Sequence, residues 1–301
     1  MATLAFRDFR TRRSSLMAAA RASSVVEEAP SHFGRVEAQA TPGADTTRFP
    51  WRIPKLRREQ ALLASLVLIP FVVFLCIWLS GHLLLPDDDL IQNFPLRVLV
   101  GSELRNGHLP LWDPYEWSGA PLLAGFNAGA FYPATLLFAF LPASLAWNLG
   151  QAAVYAVAAT GMFCFLRRRG FRPEAAWLAA VVFSGSGFMA SHLNHLGLIE
   201  GMSWVGWVLL ALDHLARPAR PGEKPDHAAI VRARVRWSAL LGLFGGLVVL
   251  AGDPRAVSNV AVPAAVFGIW LVWRSRGRRT PLLTSIAAGC LLAGLIGAGQ
   301  L

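Results

Sequence analysis

The sequence predicts an all-α polytopic membrane protein, with about seven transmembrane helices and a long first extracytoplasmic loop. Three observations carry this. Of 301 residues, 54% are apolar and 15% charged, against a charged share of about a quarter in soluble domains. Charge this sparse cannot coat a soluble globule of 32.6 kDa. The uncharged stretches are also long: the 27 residues between Glu59 and Asp87 and the 50 between Glu116 and Arg167 hold no Asp, Glu, Lys or Arg. About 20 apolar residues suffice to cross a bilayer. Finally, 25 of the 28 Lys and Arg fall in the first 60 residues and in the links 167–172, 217–236 and 274–279. They alternate with links whose only basic residues are Arg97, Arg105 and Arg255, the pattern of the positive-inside rule. The net charge of +10 therefore orients the chain. Soluble enzymes are set aside, and nucleic acid is not an expected partner.

Residues 1–60 are polar, rich in Ala, Ser and Arg, and interrupted by Pro30, Pro42, Pro50 and Pro54. Without an apolar h-region they are no secretory signal, and they read as a disordered basic cytoplasmic tail. Lys55, Arg57 and Arg58 hold the next segment's start inside. A transmembrane domain over 61–301 follows, with spans expected at 61–82, 145–166, 174–191, 198–216, 237–252, 256–273 and 281–301. The links 83–144, 192–197 and 253–255 then lie outside. Segment 126–141 is short for a crossing and contains Pro133, so it is expected to be re-entrant or interfacial. The text closes on LLAGLIGAGQL without a polar anchor, which predicts a truncated chain. Cys76, Cys164 and Cys290 lie in apolar runs and read as small core residues. Gly185, Gly187, Gly242, Gly245 and Gly246 suit close helix packing.

The chemistry is expected in the loop 83–144. Pro86 followed by Asp87, Asp88 and Asp89 suits a helix start. Pro95 is expected to kink that helix, and Gly107 to stop it. Three adjacent acids repel one another, so at least one pKa is expected to rise. Asp88 and Gln92 lie four apart and share a helix face. A carboxylate there can take a proton from an acceptor hydroxyl or hold a divalent cation. Caps and solvated charge are the plainer reading of the same acids.

Asp88-x-x-x-Gln92, Pro95, Leu104-Arg105-x-Gly107-x-Leu109-Pro110-Leu111-Trp112-x-Pro114-Tyr115, Gly119-x-Pro121-Leu122-x-Ala124 and Phe131-Tyr132-Pro133 together resemble the YfhO family of bacterial membrane proteins. The likeness continues through Ser184-Gly185-x-Gly187-Phe188, Trp204 and Ala251-Gly252-Asp253-Pro254. It covers about 60–301, the N-terminal part of a usual member. YfhO proteins resemble GT-C glycosyltransferases. The resemblance implies transfer of a sugar from a polyprenyl-phosphate carrier to an envelope glycopolymer or lipid acceptor at the outer face of the cell membrane. It puts Asp88 on the family's loop acid and Gln92 on its Gln, with Asp89 and Asp87 as additional acids; Asp88, Asp89 and Gln92 are the expected catalytic residues. The usual Asn before the Pro-Tyr pair is Asp113 here.

Arg97 and Arg105 are candidates for the carrier phosphate, ahead of Arg255, because guanidinium forks grip phosphate. Snorkelling to headgroups is the alternative. A shared site with Asp88 requires the chain to bend at Pro95. His192 and His195 are candidate substrate contacts; with no third fixed ligand they define no metal site. Glu200 is a functional candidate if it lies within a span, and a water-exposed helix end otherwise. Trp112, Tyr115, Trp117 and Tyr132 read as an interfacial aromatic belt, with Trp112 also placed to stack on a sugar. The rival readings are a lipid or polysaccharide transporter and a non-catalytic envelope-assembly scaffold.

Overall fold

The computed structural model describes residues 55–116, 118–216 and 226–299. The expected basic tail therefore lies outside the described residues up to 54, as do Trp117, the link 217–225 and the last two residues. Six helices among the described residues are long and apolar enough to cross a membrane.

Helix α1 (Lys55–Leu79) runs through Pro70 and ends before a long loop. The loop opens with a π-helical turn, Asp89–Asn93, which leads straight into α2 (Phe94–Arg105). Pro95 explains the wide turn, since it offers no N–H to the carbonyl four residues back and its ring crowds that carbonyl. The expected disturbance at Pro95 is thus a π turn within a continuous helical segment. Gly107 follows α2 at φ +77°, a left-handed conformation that glycine adopts without Cβ cost. A two-stranded antiparallel ribbon then forms from β1 (Trp112–Asp113) and β2 (Ala120–Pro121), with Trp112 opposite Pro121. Segment 126–141 contains only α3 (Pro133–Leu136) and a 3₁₀ turn, Leu137–Ala139. It packs against α2 and α4 and forms no crossing helix.

Helix α4 (Ala143–Arg168) lies against α1, where Phe74 stacks on Tyr155 at 5.8 Å. The expected third span, 174–191, is instead broken. Helix α5 (Pro173–Ser184) stops at Gly185, and α6 (Gly187–Ser191) restarts with Ser186 as its cap. At 1.5 Å per residue α5 is about 18 Å long, short of a bilayer core of about 30 Å. The two pieces nevertheless carry the chain from one end of the bundle to the other. At the start of α5, Glu174 pairs with Arg58 at 3.1 Å; beyond α6, His195 faces Asp88 at 3.8 Å.

Helices α7 (Leu196–Ser203) and α8 (Val205–Ala216) form the most buried crossing, most of its length enclosed by neighbours. A Cβ at Gly206 would strike the backbone of Gly161 and Met162, so glycine there lets α8 touch α4. Helices α9 (His227–Leu250), α10 (Pro254–Arg274) and α11 (Arg279–Gly297) complete the bundle. Gly242, Gly245 and Gly246 meet Leu292, Ala293 and Ile296 across the α9–α11 contact, as close packing requires. Gly185 and Gly187 serve to interrupt a helix, not to pack one.

Helices α1, α10 and α11 are largely unenclosed by the rest of the protein, and Leu68, Val262, Ile269 and Leu291 point outward. An apolar surface of this extent is incompatible with water. It suits lipid, and the chain is accordingly a multi-pass membrane protein. Cys76 and Cys290 share this outward face and are not core residues.

Charge pairing defines one end of the bundle. Arg167 grips Glu59 through Nε at 2.8 Å and Nη2 at 2.9 Å, and Arg168 and Arg169 converge on Asp213 at 3.2 and 2.8 Å. We call this the arginine end, and the opposite, which carries 83–144, the loop end. With the native cysteines replaced, a cysteine at Asn106 is expected to react with a membrane-impermeant reagent in intact cells, and one at Arg276 is not. The reverse labelling would invert the topology.

Candidate functional site

The three adjacent acids enter three different environments. Asp87 is exposed, at φ +42°. Asp88 has half of its side chain exposed. Asp89 is fully buried. The left-handed residue at 87 turns the chain so that the π turn directs successive carboxylates apart.

Asp88 and Gln92 line a polar cleft of about 60 Å3 at the loop end. The spacing of four therefore places them together, as expected. Asn127 joins from the loop, and Asn194 and His195 from the turn before α7. Asn93 and Gly197 also line it, and Gly252, Asp253 and Arg255 close it from the start of α10. Asp253 caps α10, accepting from the Arg255 backbone N at 2.8 Å. Its carboxylate also takes the Arg255 fork, Nε at 3.0 Å and Nη2 at 2.6 Å. Gly252 sits at φ +83° with a missing Cβ aimed at the Phe126 carbonyl, so glycine allows the α10 turn to close on the loop. A second cavity of about 160 Å3 adjoins, sharing Gln92 and Asn127 and reaching Asp113 and Glu116 under the ribbon.

Asp89, expected among the catalytic residues, does not line the cleft: it is buried behind it, accepting from Asn93 Nδ2 at 2.7 Å through Oδ1, while its buried Oδ2 has no partner. Burial pushes its carboxyl from the ordinary 3.8 up to about 6, the Asn93 bond and Arg97 opposing the rise, and Glu200 and Asp88 adding to it. One of the three acids is thus raised, as mutual repulsion predicts, though burial is the larger cause.

Arg97 and Glu200 differ from their expected roles. Arg97 donates both Nη atoms to Glu200, at 2.8 and 2.6 Å, with side-chain exposures of 2% and 0%. Its fork is occupied inside the protein and does not present itself to a carrier phosphate. Glu200 is neither a water-exposed helix end nor a residue open to the cleft. The pair ties α2 to α7. Arg105 donates to the carbonyls of Phe138 at 2.9 Å and Ala139 at 3.3 Å, clasping the 3₁₀ turn. The arginine at the cleft is Arg255.

His195 lines the cleft, whereas His192 tilts over Phe188 at 4.4 Å beside it. Trp112 is half exposed and its ring covers Gly119, so it flanks the second cavity. Tyr115 is exposed, but Tyr132 is buried with its hydroxyl accepting from Trp204 Nε1 at 3.1 Å, which removes it from the belt. Asp113 is buried and accepts from the Tyr115 backbone N at 2.8 Å, a turn bond that Asn would also make. Among the described residues no three His, Cys, Asp or Glu are grouped to hold a metal ion.

The cleft thus offers a partly exposed carboxylate, amide groups, an imidazole and a guanidinium around a small polar volume. Such a set can position a hydroxyl, receive its proton and stabilise an anion. Comparison of the chain with family models, curated proteins and solved structures gives no significant match.

Proposed function

We propose that the chain is a GT-C-like membrane glycosyltransferase of the YfhO type, moving a sugar from a polyprenyl-phosphate carrier to an envelope glycopolymer or lipid acceptor at the outer face of the cell membrane. One observation carries the reading: Asp88 and Gln92 meet His195, Asp253 and Arg255 from distant segments in one polar cleft. Segments far apart in sequence supply its lining.

In the reaction an acceptor hydroxyl attacks the anomeric carbon. The bond from that carbon to the phosphate oxygen breaks, its electron pair leaves with the phosphate, and the hydroxyl proton passes to Asp88. Asp88 suits a general base because it is half exposed, faces His195 at 3.8 Å and, among the described residues, pairs with no arginine. Gln92 orients the hydroxyl. Arg255 steadies the departing phosphate; its pair with Asp253 uses Nε and Nη2 and leaves Nη1 for that task.

Asp88→Asn is expected to abolish transfer in membranes while expression and folding persist, and Asp87→Asn to retain it. Arg255→Lys keeps charge but loses the planar fork and is expected to weaken carrier binding, with Arg105→Lys near wild type. Wild-type transfer by Asp88→Asn would remove the catalytic assignment and favour transport or scaffolding.

A further inference from the structure

The other large feature lies away from the cleft. Helices α10 and α11 diverge over a floor of α8 and α9, leaving an apolar groove of about 830 Å3. That is within the usual range for small-molecule sites of about 300–1,000 Å3. Its sole charged lining residue among those described is Arg279. From Arg279 to Gly294 the groove follows α11 for about 22 Å at 1.5 Å per residue, longer than one leaflet's share, about 15 Å, of the hydrocarbon core. Gly268 and Gly294 have open space where a Cβ would stand. In contrast, Gly242, Gly245 and Gly246 are filled by a neighbouring helix.

At the arginine end the groove meets a polar hollow of about 480 Å3, lined by Arg276, Gly277, Arg279, Thr280 and Pro281. Arg279 belongs to both compartments. Segment 274–279, from the last residue of α10 to the first of α11, carries Arg274, Arg276, Arg278 and Arg279 with no acidic residue, and among the described residues none of the four pairs with a carboxylate. Elsewhere at this end, Arg58 pairs with Glu174, Arg167 with Glu59, and Arg168 and Arg169 share Asp213. An uncompensated cationic mouth leading into a long apolar groove has the charge and polarity of an anionic amphiphile.

We infer that this groove binds an anionic membrane phospholipid, with its phosphate on Arg276 and Arg279 and an acyl chain between α10 and α11. The positive-inside rule puts the mouth in the cytoplasmic leaflet, where anionic headgroups attract basic residues. The site is independent of the cleft and of any sugar transfer there.

The chain in nanodiscs of equal phosphatidylglycerol and phosphatidylcholine, released and weighed by native mass spectrometry, is expected to retain phosphatidylglycerol preferentially. Arg276→Gln and Arg279→Gln are each expected to lower that preference about fivefold, the effect of about one headgroup charge. Gly294→Leu fills the groove and is expected to remove the retained lipid, and Arg234→Gln on α9 to leave it unchanged. Melting of each variant in detergent checks folding. Equal retention of both lipids by the wild type, or unchanged retention in the arginine and Gly294 variants, would overturn the inference. So would a lipid-free dimer lost on Gly294→Leu, which would make the occupant a helix of a second copy.

Discussion

Glu200→Ala is expected to destabilise the folded chain by about 3–5 kcal/mol, the usual cost of stripping one partner from a buried ion pair. Arg97 would be left fully enclosed, with Nη1 and Nη2 joining Nε, which has no partner already. A buried guanidinium cannot shed its proton near neutral pH, so the chain must hydrate it by opening or lose the contact between α2 and α7. Glu200→Gln keeps the volume but removes the charge, and is expected to cost nearly as much. The variant Arg97→Met with Glu200→Met removes both charges and is expected to recover most of the loss, because an apolar pair of similar bulk is often tolerated. Thermal unfolding in detergent, read as a double-mutant cycle, measures this. Additive single losses would mean that the two side chains do not depend on each other. Because the pair fixes the loop helix that follows Asp88 and Gln92, Glu200→Ala is also expected to impair the cleft, and the double replacement to restore it.

Much of this architecture is legible in the sequence, and most of what is not depends on contacts between distant segments. Apolar length is a local property, so six of the seven expected crossings are read directly, and the third is broken at Gly185. The stop at Gly107 and the shared position of Asp88 and Gln92 follow from backbone geometry over a few residues. Arg97 and Glu200 are 103 residues apart, and no local pattern says that one neutralises the other. Each alone has the properties of a functional residue in a membrane protein: a cation on the wrong side, an acid between apolar runs. The same holds for Asp253 and Arg255, whose place in the cleft depends on the α10 turn closing against the loop. The break at Gly185 did leave a signal. Ser184-Gly185-Ser186-Gly187 combines helix-breaking glycines with a capping serine, which outweighs their value as small packing residues. The β1–β2 ribbon is too short for alternation to announce it.

Asp89→Asn is expected to stabilise the chain at pH 8 and to change little near pH 4. The carboxyl is raised from 3.8 to about 6, chiefly by burial. Between those values the folded chain keeps a proton that the unfolded chain has released, so stability falls as pH rises through the window. The contribution is complete below pH 3.8 and lost by about pH 6. A shift of this size corresponds to roughly 2–3 kcal/mol at about 1.4 kcal/mol per pH unit. Asn reproduces the protonated acid: its oxygen can accept the Asn93 bond that Oδ1 accepts now, and its amide supplies a donor at the Oδ2 position. It carries no charge to bury at any pH. Apparent melting temperatures of wild type and variant in detergent, compared at pH 4 and pH 8, therefore should diverge only at the higher value. A constant offset would assign the effect to packing. Equal melting at pH 8 would mean that the Asp89 carboxylate is well solvated when ionised. In the proposed enzyme this separates two neighbouring acids by environment. Asp88 stays in the cleft to receive a proton, while Asp89, held behind it, makes the stability of the supporting turn depend on pH without touching substrate.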